Sequence, residues 1–125
     1  MIFSSMEYVI KYVHKILNIP TSTHVQEKMP PAFALVDRTG GEVDYPHDNP
    51  EYSVSIWAKS EAKCEDYAYQ LAIGLKTVPP DDYHINAVGI PTVFSYGRDE
   101  SGYYIWQVTV TLAVNIQDEK EQLWQ

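Results

Sequence analysis

The side chains that could do covalent, acid–base or metal chemistry are four histidines, one cysteine and seventeen carboxylates. A metal centre needs His, Cys or carboxylate ligands at spacings that converge on one point. His14, His24, His47 and His84 are scattered, and none stands at such a spacing from another ligand. His47-Asp48 is the nearest approach, and an adjacent pair in a polar loop reads as a solvated pair. Cys64 as a nucleophile would need a base and a positive surrounding. It is instead flanked by Glu61, Glu65 and Asp66, and it falls on the apolar stripe of a helix, which reads as a small core residue. Asp81-Asp82 and Asp99-Glu100 sit in turns, whereas catalytic carboxylates are drawn from clefts that shift their pKa values. Gly40-Gly41 follows a strand but precedes a polar loop, so it is not the helix-capped turn that cradles phosphate. No catalytic residue, metal or cofactor is expected, and the chain reads as a non-enzyme.

The elements that position these residues follow from periodicity. Residues 4–18 predict an amphipathic helix, capped by Ser4 or Ser5 and stopped by Pro20, with Met6, Val9, Ile10, Val13, Ile16 and Leu17 as its stripe. Phe33–Val36 predict a short strand that enters a turn at Asp37-Arg38-Thr39-Gly40-Gly41, where the glycines allow positive φ. Residues 42–50 read as a loop. Residues 52–58 alternate, with Val54, Ile56 and Ala58 on one side and Trp57 on the otherwise polar other side. Residues 60–76 predict a helix with Ser60 as N-cap and Cys64, Ala68, Leu71, Ala72 and Leu75 inward.

Residues 85–96 predict one strand with Val88, Ile90, Phe94 and Tyr96 on one face. Pro91 lacks an N–H and marks an edge or a bulge. Gly97–Gly102 form a hairpin loop. Residues 103–116 carry the cleanest period of two, with Tyr104, Trp106, Val108, Val110, Leu112, Val114 and Ile116 together. At ~3.3 Å per residue that strand would be about 46 Å long, which predicts a bend or a projecting arm. The order helix-strand-strand-helix-strand-strand gives an α+β fold: a mainly antiparallel sheet with two helices packed on one face.

The chain of 125 residues, 45% hydrophobic and 13% aromatic, is long and apolar enough for one domain over 1–125 with a real core. Residues 117–125 read as a frayed tail. The net charge of −8 sets nine Lys and Arg against seventeen Asp and Glu. It disfavours specific DNA binding, which draws on phosphate contacts. No apolar run reaches membrane-spanning length and no secretory leader pattern opens the chain, so no membrane partner is expected. One cysteine permits no internal disulfide and fits a reducing compartment.

Ten tyrosines and three tryptophans are the richer signal. Tyr67, Tyr69, Tyr83, Tyr96 and Tyr103 fall on predicted exposed or loop positions, and such rings favour protein interfaces. Two runs then carry a resemblance. Phe33 to Gly41 is a strand leading into Thr-Gly-Gly, and Val54 to Ala62 is a strand ending in Trp-Ala, then Ser and a helix with small residues. Together they resemble the small tail-terminator (tail-completion, minor tail) proteins of long-tailed bacteriophages and their prophage relatives. Asp99-Glu100-Ser101-Gly102 followed by Tyr103-Tyr104 is similar to the family's closing hairpin, departing from it at Tyr103, where a basic residue is expected.

The resemblance spans Pro31 to Asn115. It implies a ring homo-oligomer, typically a hexamer, that caps the tail tube, stops its growth and meets the head connector protein. DNA passes through without specific binding. It places the chain in the virion tail, assembled in the bacterial host cytoplasm, with itself, the tail tube protein and the head connector as partners. The expected interface residues are Arg38, Thr39, Gly40, Gly41, Trp57, Arg98, Asp99 and Tyr103; Arg38 and Arg98 read either as holding carboxylates of a partner in bidentate fashion or as solvated turn residues. A head-tail connector or stopper subunit is one alternative. Another is a small-molecule-binding α+β domain, its pocket between sheet and helices lined by Trp106, Tyr104 and Phe94.

Overall fold

The computed structural model describes residues 1–117. The segment read as a frayed tail lies outside the described residues from position 118 on. Two helices, α1 (Ser5–Leu17) and α2 (Glu61–Thr77), accompany eight strands. The strands are β1 (Thr21–Ser22), β2 (Ala32–Gly40), β3 (Val43–Asp44), β4 (His47–Asp48), β5 (Glu51–Ala58), β6 (Ile85–Val88), β7 (Thr92–Arg98) and β8 (Tyr104–Asn115). This is the expected α+β fold with a mainly antiparallel sheet.

β8 is the axis of the sheet. On one side Tyr104–Thr111 pairs antiparallel with β5, and β5 pairs antiparallel with β2. On the other side β7 pairs with Tyr104–Thr109 and β6 with Leu112–Val114. β1 adds two parallel pairs outside β2, at Ala34 and Leu35. The short hairpin β3–β4 closes against the end of β8. The 12-residue β8 is long, yet neighbours flank it along its length, so no arm projects.

Both helices lie on one face. Ala34 and Val36 of β2, Val54 and Ile56 of β5, and Val108, Val110 and Leu112 of β8 share that face and are buried. Val9, Val13 and Leu17 of α1 and Cys64, Ala68 and Leu71 of α2 complete the core. Burying each large aliphatic side chain stabilises by about 1.5–3 kcal/mol. Ser4 accepts from the Glu7 N–H and Ser60 from the Lys63 N–H, so both helices carry the expected N-caps. Tyr12, outside the predicted stripe, is buried, and its hydroxyl donates to the carbonyls of Gly74 (2.7 Å) and Val78 (3.0 Å). It thereby ties α1 to the end of α2.

Three expectations change. The predicted turn at Asp37–Gly41 is strand as far as Gly40. Of the two glycines only Gly41 has positive φ (107°), and a Cβ there would overlap the Asn49 carbonyl. The predicted loop 42–50 contains β3 and β4, joined by a cis Tyr45–Pro46 bond. The predicted strand 85–96 is two strands, broken at Gly89-Ile90-Pro91. Across that break the inward face passes from Val88 to Val93, so Ile90 is 93% exposed, and Phe94 and Tyr96 turn away from the helices.

Candidate protein interface

Neither helix among the described residues lies over the second face of the sheet, and its composition is graded by strand register. Phe33, Trp57 and Ile105 stand side by side in one row. Leu35, Ser55, Gln107 and Phe94 form the next, and Asp37, Ser53, Thr109 and Thr92 the third. Thr39, Glu51 and Thr111 mark the far end. The face therefore runs from aromatic to hydroxyl-rich and acidic.

At the aromatic end Phe33 stacks on Trp57 at 5.4 Å between centroids, and both meet the edge of Tyr103. Tyr103 was expected at an exposed position. It is 3% exposed instead, and its hydroxyl donates to the Pro30 carbonyl at 2.7 Å. The Lys59 ammonium lies 4.3 Å from the Tyr103 ring centre, a cation–π contact. Asp99 builds the adjoining turn by accepting from the N–H groups of Ser101 and Tyr103 and from the Ser101 hydroxyl. The Ser101 hydroxyl, foremost among these donors, holds the Asp99 carboxyl below the usual carboxylate range. Arg98 lies over the Tyr104 ring at 5.9 Å.

Arg38, Thr39, Gly40 and Gly41 lie at the opposite end. Arg38 was read either as holding a partner's carboxylate or as a solvated turn residue. It already grips Asp48 of its own chain, through Nη1 at 2.9 Å and Nη2 at 2.8 Å. The Asp48 side chain is 5% exposed and that of Arg38 30%, so the pair closes the β3–β4 hairpin onto β2 from a largely buried position. Thr39 donates to Glu51 Oε1 at 2.7 Å. The expected interface residues thus fall into two groups. Arg38 pairs across the sheet with Tyr52, and Trp57 is five residues further along the same strand, a separation of roughly 17 Å at 3.3 Å per residue.

The surface between the two groups contains residues that the sequence reading placed elsewhere. Phe94 is 42% and Tyr96 60% exposed, and their rings meet at 4.9 Å. Both project from β7, which pairs with β8 alone among the described strands. A register shift between Ser95 and Gly97, with Gly97 at φ 84°, brings Tyr96 round beside Phe94. Beyond the other end of β7, an open groove of about 470 Å³ runs between the end of α2 and the Gly89–Pro91 break, lined by Pro79, Pro80 and Ile90.

The ligand pocket expected between sheet and helices has a different form. That space is packed core with a void of about 20 Å³, lined by Tyr12, Val13, Val54, Leu71 and Val110 among others. Phe94 lies on the opposite face of the sheet, and Trp106 and Tyr104 do not line the void. Drug-sized ligands occupy roughly 300–1,000 Å³. Burial pushes the Cys64 thiol up to about 11, and it points at the Ile56 carbonyl, 3.0 Å away. Among the described residues no three His, Cys or carboxylate side chains gather as a metal site, and no helix is long and apolar enough to cross a membrane. No family model matches this chain and no curated protein matches it.

Proposed function

We propose that this chain is a structural virion assembly protein of the tail-terminator kind. Copies of it form a ring, a hexamer by the family pattern, that caps a phage tail tube and presents a surface to the head connector. The observation that carries this reading is the β7 edge. β7 pairs with β8 on its inner side and with no described strand on its outer side, and two aromatic rings are exposed beside that edge. Such an edge is a template for pairing with another chain. The helices occupy only one face, leaving the graded open face available to a second contact such as the tube.

The net charge of −8 supports the part assigned to DNA, which passes an acidic ring without adhering to its phosphates. The ring belongs to the virion tail and assembles in the bacterial cytoplasm. The reading is tested in a phage or induced prophage that carries the gene. Deleting the gene is expected to leave tails of uneven length that fail to join heads, with restoration by the gene in trans. Tails of uniform, capped length that join heads without it would overturn the reading. Uniform tails that accumulate beside filled heads would assign the chain to the connector or stopper position instead.

A further inference from the structure

The sheet ends in two edges of different character. On one side Ile85–Arg98, which holds β6 and β7, contains no carboxylate in a chain that has seventeen, and its one formal charge is Arg98. Natural edge strands are guarded by charges, prolines or bulges. Here the guards stand at the ends: Pro91 precedes β7, and the register shift follows Ser95. Between them Thr92–Ser95 is regular strand. On the other side β1 covers only Ala34 and Leu35 of β2. Val36–Gly40 continues past it, paired with β5 inwardly and with no described strand outwardly. Asp37 stands exposed on that segment.

These edges fit each other. β2 runs antiparallel to β5, β5 to β8, and β8 to β7. Three reversals leave β7 and β2 running in opposite senses. A second copy in the same orientation would therefore lay its β2 antiparallel to the first copy's β7, continuing the sheet pattern. The helix layers would fall on one side and the open faces on the other. The charges agree as well, because a strongly acidic chain approaches a copy of itself most easily where one surface carries no acid. The β2 edge bears Asp37 and Arg38, and the charge of Arg38 is matched by Asp48 of its own chain, so the acid it offers to the carboxylate-free β7 edge is Asp37.

We infer that copies of this chain join head to tail through their sheets, the outer edge of β7 in one protomer pairing antiparallel with Val36–Gly40 of β2 in the next. This rests on the assembly reading above and names the surfaces that carry it. The contact is heterologous, the kind that closes into a ring when its rotation divides the circle. Self-pairing of two β7 edges would instead close after two copies.

The test is a cross-link on the full chain. Phe94 and Asp37 are both exposed on the open face, and antiparallel pairing of residues 92–95 with 39–36 sets them opposite each other. The double variant Phe94→Cys/Asp37→Cys, treated with a short bis-maleimide, is expected to give a ladder of dimers, trimers and higher species. Each single variant and the wild type, whose Cys64 is fully buried, are expected to stay at monomer mass on a denaturing gel. Thr92→Lys, which places a charge on the exposed edge, is expected to dissociate the assembly in sedimentation while leaving the urea unfolding curve in place.

Dimers from Phe94→Cys alone would overturn head-to-tail pairing in favour of two-fold pairing. A double variant without a ladder, or a wild type that sediments as a monomer at millimolar concentration, would overturn the inference too. The deletion phenotype is independent of all three. Uneven, unjoined tails together with no ladder would retain the tail role and reject this interface.

Discussion

Removing Arg38 is expected to cost more than removing Asp48, although both changes break the same ion pair. The asymmetry follows from burial. With Arg38→Met, the apolar stem is kept and Asp48, 5% exposed, is left as an unpaired carboxylate. Breaking a buried pair in this way costs about 3–5 kcal/mol. With Asp48→Asn, one acceptor oxygen remains, and the Arg38 guanidinium, 30% exposed, can recover water. That change weakens charge-assisted bonds at 2.8 and 2.9 Å and costs about 1–2 kcal/mol. For a chain of this size each kcal/mol moves Tm by about 4 °C, so Tm falls by roughly 12–20 °C in the first variant and roughly 4–8 °C in the second. Urea unfolding followed by far-UV circular dichroism at pH 7 measures both. The double variant Arg38→Met/Asp48→Asn is expected to be more stable than Arg38→Met alone, because it removes the buried charge. A result in which Asp48→Asn is the more damaging single change, or in which the double variant gains nothing over Arg38→Met, would refute the reasoning.

Four further outcomes follow from the same structure. Gly41→Ala is expected to destabilise by at least about 2 kcal/mol, since positive φ and overlap with the Asn49 carbonyl act together. Gly40→Ala, with open space around it, is expected to unfold within about 0.5 kcal/mol of wild type in the same urea assay. Native Cys64 is expected to react with a chromogenic disulfide reagent at pH 8 at least roughly a thousandfold more slowly than the urea-unfolded chain, because its pKa near 11 leaves little thiolate and no atom of it is exposed. For Asp82, burial raises the carboxyl, and the His84 backbone N–H and ring together outweigh that, so the net shift is downward. A lowered folded value means a contribution present above the ordinary carboxylate pKa and lost as pH falls through the folded one. Asp82→Asn is therefore expected to cost about 1 kcal/mol in urea unfolding at pH 7, and the gap to wild type is expected to narrow below about pH 4.

Both helices were legible in the chain, because their caps and stripes are local signals. Ser4 and Ser60 cap where hydroxyl N-caps are expected, and Cys64, Ala68 and Leu71 keep helical spacing. The long alternation from Tyr104 to Ile116 gave the correct inward face because burial on that face is continuous. Phe94 and Tyr96 were misplaced for a specific reason. Gly89-Ile90-Pro91 breaks the strand, and the inward phase shifts from even to odd positions across it. Alternation alone does not reveal a phase change, although a proline after a glycine was the available sign of one. The pairing of Arg38 within its own chain is not legible in the sequence, because Asp48 comes from a two-residue strand too short to announce itself. Trp57 was read onto the polar side correctly, but its packing against Phe33 and Tyr103 depends on strand register and a hairpin turn, neither of which its own strand encodes. The eight expected interface residues therefore formed two separated groups, and the free edge between them became apparent only once the strands were paired.

The central claim is that this chain works by assembling with itself. Native mass spectrometry of the purified protein over a wide concentration range, with the same sample imaged by electron microscopy, tests it most directly. Closed rings are expected, with a mass that is one integral multiple of the protomer, six by the family pattern, dispersed by Thr92→Lys. A protomer mass at every concentration, with no rings in the images, would contradict it.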